Sequence, residues 1–401
     1  MPTNLQRWDI DRRLFCTGLT AALTRVAAAR VLAAVTTPPG YALVASVDRR
    51  RILLAASRYL PLAPQTITAL PSDRSPGGPH DFFSEADYFW PNPADPNGPY
   101  IDIDGKSNPN NFQGHRKAMI TLSVRMPALT AAWRLTGERT YGEHAAAHLR
   151  AWFVDASTRM NPNLEFSQGV RNKVTGRSYG IIDTLHLVEV ARAASLIEEM
   201  FLSPDERKAL HTWFREYLRW LQTSEKGVTE GSTSNNHAVC WALQVAEFAR
   251  LVADEDTREA IRVRYKTVLL NQMATDGGFP KELARTKPYS YSIFNLDVMA
   301  TLCQSLSLPG EDMFGFTTDD GRSICKGMVF LFPYVEDKQR WPYAKDVEHF
   351  GALPVRAPCL LFCGLACSRP EYLALWKRLD PDPVDPEIIR NYPIRQPLLW
   401  Y

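Results

Sequence analysis

Four side chains with complementary chemistry lie near the middle of the chain. Asn236 and His237 stand at the start of an apolar segment, and Arg285 and Tyr291 follow 48 and 54 residues after His237. An amide, an imidazole, a guanidinium and a phenol can together neutralise a carboxylate, remove an acidified C–H proton and protonate a departing oxygen. That set suits a polysaccharide lyase. Taken singly, each residue also has a structural explanation as a helix cap, a first-turn histidine or an aromatic packed in a wall.

The reaction that these groups favour is β-elimination at a 4-linked uronate. The C5 proton lies beside a carboxylate whose charge opposes the developing carbanion, so that charge must be neutralised. Asn236, His237 and Arg285 could donate to the carboxylate, and the start of a helix adds a favourable dipole. A free phenol has a pKa of about 10, so forming phenolate at pH 7 costs roughly 4 kcal/mol, which a neighbouring guanidinium would reduce.

The proton carrier depends on stereochemistry. When the C5 proton and the leaving oxygen lie on the same face of the sugar, Tyr291 could take the proton and return it to O4. When they lie on opposite faces, His237 could be the base and Tyr291 the acid. Tyr289 is the rival for the role of Tyr291, because it lies two residues earlier.

Six short segments, in order along the chain, resemble the alginate lyase superfamily, including its glucuronan lyase relatives. They are 78–85 (GPHDFFSE), 88–91 (YFWP), 160–164 (MNPNL), 180–184 (GIIDT), 235–237 (NNH) and 285–292 (RTKPYSYS). The likeness extends from about residue 50 to about residue 365. Each segment is weak evidence by itself, whereas the ordered set is strong.

The resemblance implies both a fold and a site. The fold would be all-α, an incomplete or complete α/α toroid with the active site in a central cleft. The family's catalytic asparagine, histidine, arginine and tyrosine correspond to Asn236, His237, Arg285 and Tyr291, and the histidine-to-tyrosine interval favours Tyr291 over Tyr289. Better-known alginate lyases often carry an aromatic soon after the histidine, whereas Ala238 follows here. Glucuronan and alginate therefore stay near-equal candidate substrates.

Other side chains could contact an acidic polysaccharide. The candidates for substrate binding are Arg177, Lys287, Tyr289, Trp90 and Tyr88, with Arg171 and Lys173 as further cations. The basic side chains could bind carboxylates or could be ordinary solvated charges. The aromatic side chains could stack on sugar faces or pack within their own loop.

Composition limits the class of protein. With 401 residues, 45% hydrophobic and 11% aromatic, the chain can bury a large core and is not a disordered protein. A formal charge of +2 argues against a surface that coats nucleic acid. The seven cysteines lack paired CxxC spacing, so we expect buried free thiols, no metal site and no cofactor.

The amino-terminal residues resemble an export signal. Arg12 and Arg13 precede an alanine-rich apolar run that ends near Ala34, as in a twin-arginine signal, although an amphipathic helix would look similar. No other segment approaches the ~18 apolar residues of a membrane span, so we expect no membrane partner. We expect residues 1–34 to be an export signal or amino-terminal helix and residues 35–401 to be one toroid lyase domain, periplasmic or secreted. The sequence leaves the oligomeric state open.

Helical periodicity dominates from Tyr141 onward, and strand signals are nearly absent. Ser203 followed by Pro204 and Glu206 predicts a helix start with a capping box. Further helices are expected at about 237–252, 258–273 and 293–306. Residues 70–111 are rich in proline, glycine and aromatics, which predicts an ordered flap beside the cleft. Residues 276–292 are expected to form a loop that carries Arg285 and Tyr291.

Two other functions are compatible with a helical toroid. A glycoside hydrolase would use two carboxylates, and Asp183, Glu189, Asp276 and Glu282 are available, although no pairing is evident from the sequence. A non-catalytic protein that binds acidic glycans would need the aromatic and basic cleft without the phenol and imidazole together.

Overall fold

The computed structural model describes residues 38–401, and the predicted export signal over residues 1–34 lies outside this range. The α-helices within the range are α1 Pro39–Tyr59, α2 Gly114–Thr136, α3 Arg139–Leu149, α4 Leu187–Phe201, α5 Pro204–Thr223, α6 Glu225–Gly231, α7 Asn236–Leu251, α8 Glu255–Thr267, α9 Pro280–Leu283, α10 Pro288–Leu306, α11 Ile324–Glu336, α12 Pro358–Ala366, α13 Pro370–Arg378 and α14 Pro386–Arg390. The described part of the chain is therefore mainly helical, as the sequence predicted.

The helices form an α/α toroid with inner and outer members. Helices α2, α4, α7, α10 and α12 contact one another in series, while α3, α8 and α11 pack against α2, α7 and α10 respectively. Helix α7 is buried on nearly all sides, which is typical of an inner helix. Helix α5 buries one stripe through Leu210, Phe214 and Leu221, which is typical of an outer helix. The amino ends of α7 and α10 carry the candidate catalytic residues.

Helix boundaries agree with the sequence at some ends and differ at others. Helix α5 begins with the predicted capping box, in which Glu206 N donates to Ser203 Oγ (3.3 Å) and Ser203 N donates to Glu206 Oε2 (2.8 Å). Helix α8 ends at Thr267, about six residues before the predicted end near residue 273, and a 3-10 turn, Leu269–Gln272, follows it. Helix α10 starts at Pro288, five residues before the predicted start, because proline is well suited to the first helical position. Tyr291 therefore lies in a helical turn, and its prediction as a loop residue was wrong.

Residues 70–111 form the ordered flap that was expected. They contain the strands β1 Phe83–Glu85, β2 Phe89–Trp90 and β3 Ile101–Asp102. A fourth strand, β4 Phe166–Gly169, lies outside the flap and pairs in parallel with β1. Strands β2 and β3 pair antiparallel. Buried asparagines hold the flap from inside, since Asn108 Nδ2 donates to Phe89 O (2.9 Å) and Asn111 Nδ2 donates to Ala86 O (2.6 Å).

The flap approaches the segment that carries Arg285. Gly105 adopts φ +79°, and a Cβ on this residue would lie 2.5 Å from the Thr286 side-chain oxygen. Glycine is needed both for the left-handed backbone and for this close approach.

The cysteines correct one sequence prediction. Cys325 near the start of α11 and Cys367 after α12 form a disulfide, with their Cα atoms 6.0 Å apart. They are 42 residues apart, so only the packing of α11 on α12 brings them together. The four thiols of Cys240, Cys303, Cys359 and Cys363 are buried and unpaired, as expected, and Cys16 lies outside the described residues.

Candidate active site

A cavity of about 370 Å³ lies where the flap meets the amino ends of α7 and α10. Six of the residues selected from the sequence line it, namely Asn236, His237, Arg285, Tyr291, Arg177 and Tyr88. The flap contributes Phe89, Asp102 and Asp104 to the same cavity, which confirms its expected position beside the cleft. The structure thus brings together an amide, an imidazole, guanidinium groups and phenols from five separate parts of the chain.

Asn236 is the first residue of α7 and is held by a buried carboxylate. Its backbone N donates to Glu282 Oε1 and its Nδ2 donates to Glu282 Oε2, both at 2.7 Å. Glu282, on α9, is 1% exposed. Burial raises the pKa of Glu282, and the two hydrogen bonds from Asn236 oppose the rise. The neighbouring Asn235 caps the helix through Oδ1, which accepts from His237 N (3.3 Å).

His237 is held by a second buried carboxylate. Its Nδ1 lies 2.5 Å from Oε1 of Glu230, which comes from α6 and is 1% exposed. A carboxylate accepts only, so Nδ1 carries a proton and Nε2 is the ring nitrogen left for substrate. The Tyr179 ring packs edge-on against the imidazole, with the ring centroids 5.0 Å apart.

Arg285 is paired with a carboxylate of the flap. Its Nη2 lies 2.6 Å from Asp104 Oδ1 and its Nε lies 3.3 Å from Oδ2, while Thr286 Oγ1 donates to the same carboxylate (2.9 Å). Burial would lower the pKa of Arg285, but the hydrogen bond to Asp104 and the charges nearby raise it above its usual value. The guanidinium also lies 4.7 Å from the centroid of the Tyr291 ring. Arg285 is therefore a fixed cation beside the phenol.

Tyr291 makes its hydrogen bond with a second phenol. The Tyr291 hydroxyl lies 3.0 Å from the hydroxyl of Tyr88, which is also 3.4 Å from Arg390 Nη2. Burial and the Tyr88 contact raise the pKa of Tyr291, and Arg285 opposes the rise. The phenol is therefore protonated at neutral pH when the cavity holds no substrate.

Buried ion pairs form the floor of the cavity. Arg116 bridges Asp87 and Asp183 at 2.7 and 2.9 Å, and Arg390 bridges Asp87 and Glu387 at 2.5 and 2.8 Å. These alternating charges fix one another, so they give the cavity a rigid polar base. Arg116, Arg390 and Asp87 were not predicted as site residues, because no local sequence pattern marks them.

Gln168 is strained and contacts two groups of the site. It is a non-glycine residue with φ +48°, a conformation that the surrounding structure must impose. Its Oε1 accepts from Arg177 Nη2 (3.1 Å) and its Nε2 donates to Asp183 Oδ1 (3.1 Å). Gln168 therefore links the cation at the cavity wall to the ionic floor.

Three residues selected for substrate binding lie away from the cavity lining. Tyr289 is 0% exposed and donates to Tyr334 O (2.9 Å). It precedes Tyr291 by two residues on the same helix, so the two side chains point in directions about 200° apart around the helix axis. Lys287 is 1% exposed and pairs with Glu387 at 3.2 Å. Trp90 is half-buried and donates to Lys106 O (2.9 Å). The burial of Tyr289 and Lys287 does not fit the direct contact with substrate that the sequence predicted for them, and substrate contact by Trp90 stays a prediction.

The sequence did not predict the roles of the three carboxylates that bond to the catalytic candidates, namely Glu230, Glu282 and Asp104. Glu230 stands seven residues before His237, and Glu282 stands three residues before Arg285. Glu282 was considered only as a possible hydrolase carboxylate. A buried acid close to a catalytic amide or imidazole would indicate a positioning role, but neither the burial nor the closeness of these acids can be seen in the sequence.

Comparison with known proteins finds one matching family and several similar structures. The sequence profile of the alginate lyase family matches residues 66–341. An alginate lyase from Bacteroides ovatus has 28% sequence identity and a TM-score of 0.76, covering 90% of this chain and 97% of that chain. Alginate lyase A1-III from Sphingomonas species A1 has 17% identity and a TM-score of 0.51, covering 91% and 99%. A variant of A1-III complexed with tetrasaccharide has 16% identity and a TM-score of 0.55, covering 92% and 97%. No curated protein matches the chain in sequence.

Proposed function

Because the chain belongs to the alginate lyase family of polysaccharide lyases, we propose that its cavity cleaves a 1,4-linked polyuronate by β-elimination. The observation that carries this proposal is that Asn236, His237, Arg285 and Tyr291 line one cavity. Asn236, His237 and Arg285 each bond to a separate carboxylate, from Glu282, Glu230 and Asp104 respectively. Such an arrangement fixes donors before substrate arrives, as electrostatic catalysis requires.

In the proposed reaction, the first step is neutralisation of the C5 carboxylate. Asn236 Nδ2 has a second hydrogen beyond the one given to Glu282, and it can donate this hydrogen to the substrate. Arg285 supplies a full charge, and the substrate carboxylate competes with Asp104 for it. His237 adds a third donor when its imidazole is protonated. With the carboxylate neutralised, the C5 proton becomes acidic enough to remove.

The second step transfers protons between C5 and O4. Tyr291 is protonated in the unliganded site, so it can give its proton to O4 without prior activation. On a substrate whose C5 proton and O4 share a face, Tyr291 must first lose its proton to solvent, at a cost that the Arg285 charge reduces. The resulting phenolate takes the C5 proton and returns it to O4. On a substrate with these groups on opposite faces, His237 Nε2 takes the C5 proton and Tyr291 serves as the acid.

For the polymer, we favour alginate, with glucuronan as the alternative. The Bacteroides ovatus relative is an alginate lyase, and alginate lyase A1-III variants have been solved with tetrasaccharide. Those variants carry a histidine-to-alanine and a tyrosine-to-phenylalanine substitution at positions 54 residues apart in that protein. The separation is the same between His237 and Tyr291, which supports their selection as the acid–base pair.

The product tests the reaction class. Elimination creates an unsaturated uronate that absorbs in the near ultraviolet, and hydrolysis does not. The purified protein should be assayed on mannuronate-rich alginate, guluronate-rich alginate, glucuronan and esterified pectin. We expect absorbance to rise on at least one free polyuronate. Reducing ends released without absorbance would show hydrolysis instead, and binding without cleavage would show a glycan-binding protein.

The positions of the carboxylates disfavour the hydrolase alternative. Asp183 is paired with Arg116, and Glu282 accepts from Asn236. Glu189 is 0% exposed and accepts from the backbone of Arg395 and Gln396. Asp276 is engaged by the backbone of its own turn. Of the four, only Asp183 lines the cavity, and it is paired with Arg116, whereas a hydrolase needs two carboxyl groups at its site.

For location and domain organisation, we propose that residues 35–401 act as a single lyase domain that works outside the cytoplasm. The Cys325–Cys367 disulfide supports an oxidising compartment. In residues 38–401, none of the helices has the length and apolarity needed to cross a bilayer. The mature amino terminus of the protein from periplasmic and culture fractions, determined by mass spectrometry, tests this assignment. An uncleaved chain confined to the cytoplasm would contradict it.

A further inference from the structure

A second cavity of about 460 Å³ is lined by residues that lie next to residues of the catalytic cavity in the chain or in space. Consecutive residues of β4 line the two, with Gln168 at the catalytic cavity and Gly169 at the second. Phe89 lines the catalytic cavity, and the ammonium of Lys173, which lines the second, lies 5.9 Å from the centroid of its ring. A ligand too long for the catalytic cavity can therefore extend to the polar side chains that line the second cavity.

The second cavity has an excess of positive charge. Arg74 and Arg171 share one buried carboxylate, Glu85, with N–O distances of 2.7 Å each. Burial would raise the pKa of Glu85, but the hydrogen bond from Arg171 and the other contacts hold it below its usual value. Lys173 forms no ion pair with any residue in 38–401 and is exposed. Three cations therefore face a single carboxylate, which leaves two positive charges for a ligand.

Lys173 is presented by a tight turn. Val170 N donates to Val174 O (2.8 Å) and Lys173 N donates to Val170 O (3.0 Å), while Asn172 adopts φ +57°. The ammonium also acts on the catalytic cavity. Burial and Asp104 raise the pKa of Asp102, and the charges of Arg177, Arg285 and Lys173 oppose that rise. Lys173 thus lies within electrostatic range of both cavities.

We propose that the second cavity is a distal subsite that binds carboxylates of the polyuronate beyond the sugars held at the catalytic residues. The inference rests on the proposed function. A polyuronate carries a carboxylate on every sugar, so a chain that leaves the catalytic cavity past Phe89 brings anionic groups to Lys173 and Arg171. Arg171 and Arg74 are fixed by Glu85, whereas Lys173 is the cation that a substrate can engage without breaking an ion pair.

The test compares substrates of different length. Lys173→Gln removes the charge at an exposed position, and Lys208→Gln is the matched control, because Lys208 is an exposed lysine of α5 that lines neither cavity. For each protein, kcat/KM is measured on the polymer and on its trisaccharide. We expect Lys173→Gln to lower the polymer-to-trisaccharide ratio by about fivefold, which is about 1 kcal/mol at 1.4 kcal/mol per factor of ten. Lys208→Gln should leave the ratio unchanged.

Charge reversal and salt give independent readouts. Lys173→Glu should lower the ratio further than Lys173→Gln does, and added salt should reduce the difference between wild type and Lys173→Gln, since screening weakens exposed contacts. An unchanged ratio in both Lys173 variants, on an enzyme that cleaves the polymer, would overturn the distal subsite alone. Failure of the wild type to form unsaturated product from any polyuronate would overturn the proposed function instead.

Discussion

Glu282 accepts two hydrogen bonds from Asn236, one from the backbone N and one from Nδ2, each 2.7 Å long. An ionised carboxylate has no proton to give, so this contact fixes which end of the Asn236 amide is the nitrogen. It also fixes the first turn of α7, on which His237 follows. The orientation of two catalytic candidates therefore depends on one buried carboxylate.

The raised pKa of Glu282 predicts a pH dependence. As pH falls through this pKa, the carboxyl gains a proton, loses acceptor capacity towards Asn236, and turnover falls at a higher pH than an ordinary glutamate would give. Glu282→Gln places a second amide against the Asn236 donors, so we expect about a tenfold loss of kcat or more and no corresponding acid limb. The measurement is kcat from about pH 4 to 7 for both proteins. The same acid limb in the wild type and in Glu282→Gln would show that another group causes the limb. Circular dichroism of the variant checks that it is folded.

Tyr291→Phe should abolish nearly all turnover while polymer binding is largely kept. Only the proton-carrying hydroxyl is lost, and the ring still packs beside Arg285. We expect a loss of at least about 10²-fold in kcat, as for removal of an acid–base group. Tyr289→Phe is the matched control, because its hydroxyl contacts Tyr334 O outside the cavity. More than about a tenth of wild-type turnover in Tyr291→Phe would place the role elsewhere.

Removing a carboxylate-neutralising donor should harm free polyuronate more than its methyl ester. Arg285→Ala and Asn236→Ala should each lower kcat on free polyuronate by about 10²- to 10³-fold, as loss of a preorganised donor does. A methyl-esterified substrate has no carboxylate charge to neutralise, so these variants should lose less on it. Initial rates on the two substrate forms give the comparison. A wild type that strongly prefers esterified pectin would contradict the neutralising role.

The sequence could identify the candidate catalytic groups but not the groups that position them. Asn236 and His237 follow a helix-start pattern, and periodicity located α7 to within one residue at each end. The positions of Glu230, Glu282 and Asp104 behind the catalytic candidates depend on packing between separate elements, which no local pattern encodes. The family's histidine-to-tyrosine interval favoured Tyr291 over Tyr289, but the physical reason for this choice depends on the start of α10 at Pro288, because helix phase turns the two side chains to opposite sides.

The disulfide should stabilise the fold without affecting the chemistry. Cys325 and Cys367 join α11 to the end of α12, and the 42-residue separation implies about 4 kcal/mol of lost entropy in the unfolded chain. The double variant Cys325→Ser and Cys367→Ser should therefore unfold several degrees lower in calorimetry, with kcat close to wild type because neither residue lines the cavity. Reductant should lower the wild-type Tm towards that of the variant and leave the variant unchanged. Alkylation of unfolded, unreduced protein, followed by mass spectrometry, should leave these two cysteines unlabelled, and labelling of both would refute the pairing.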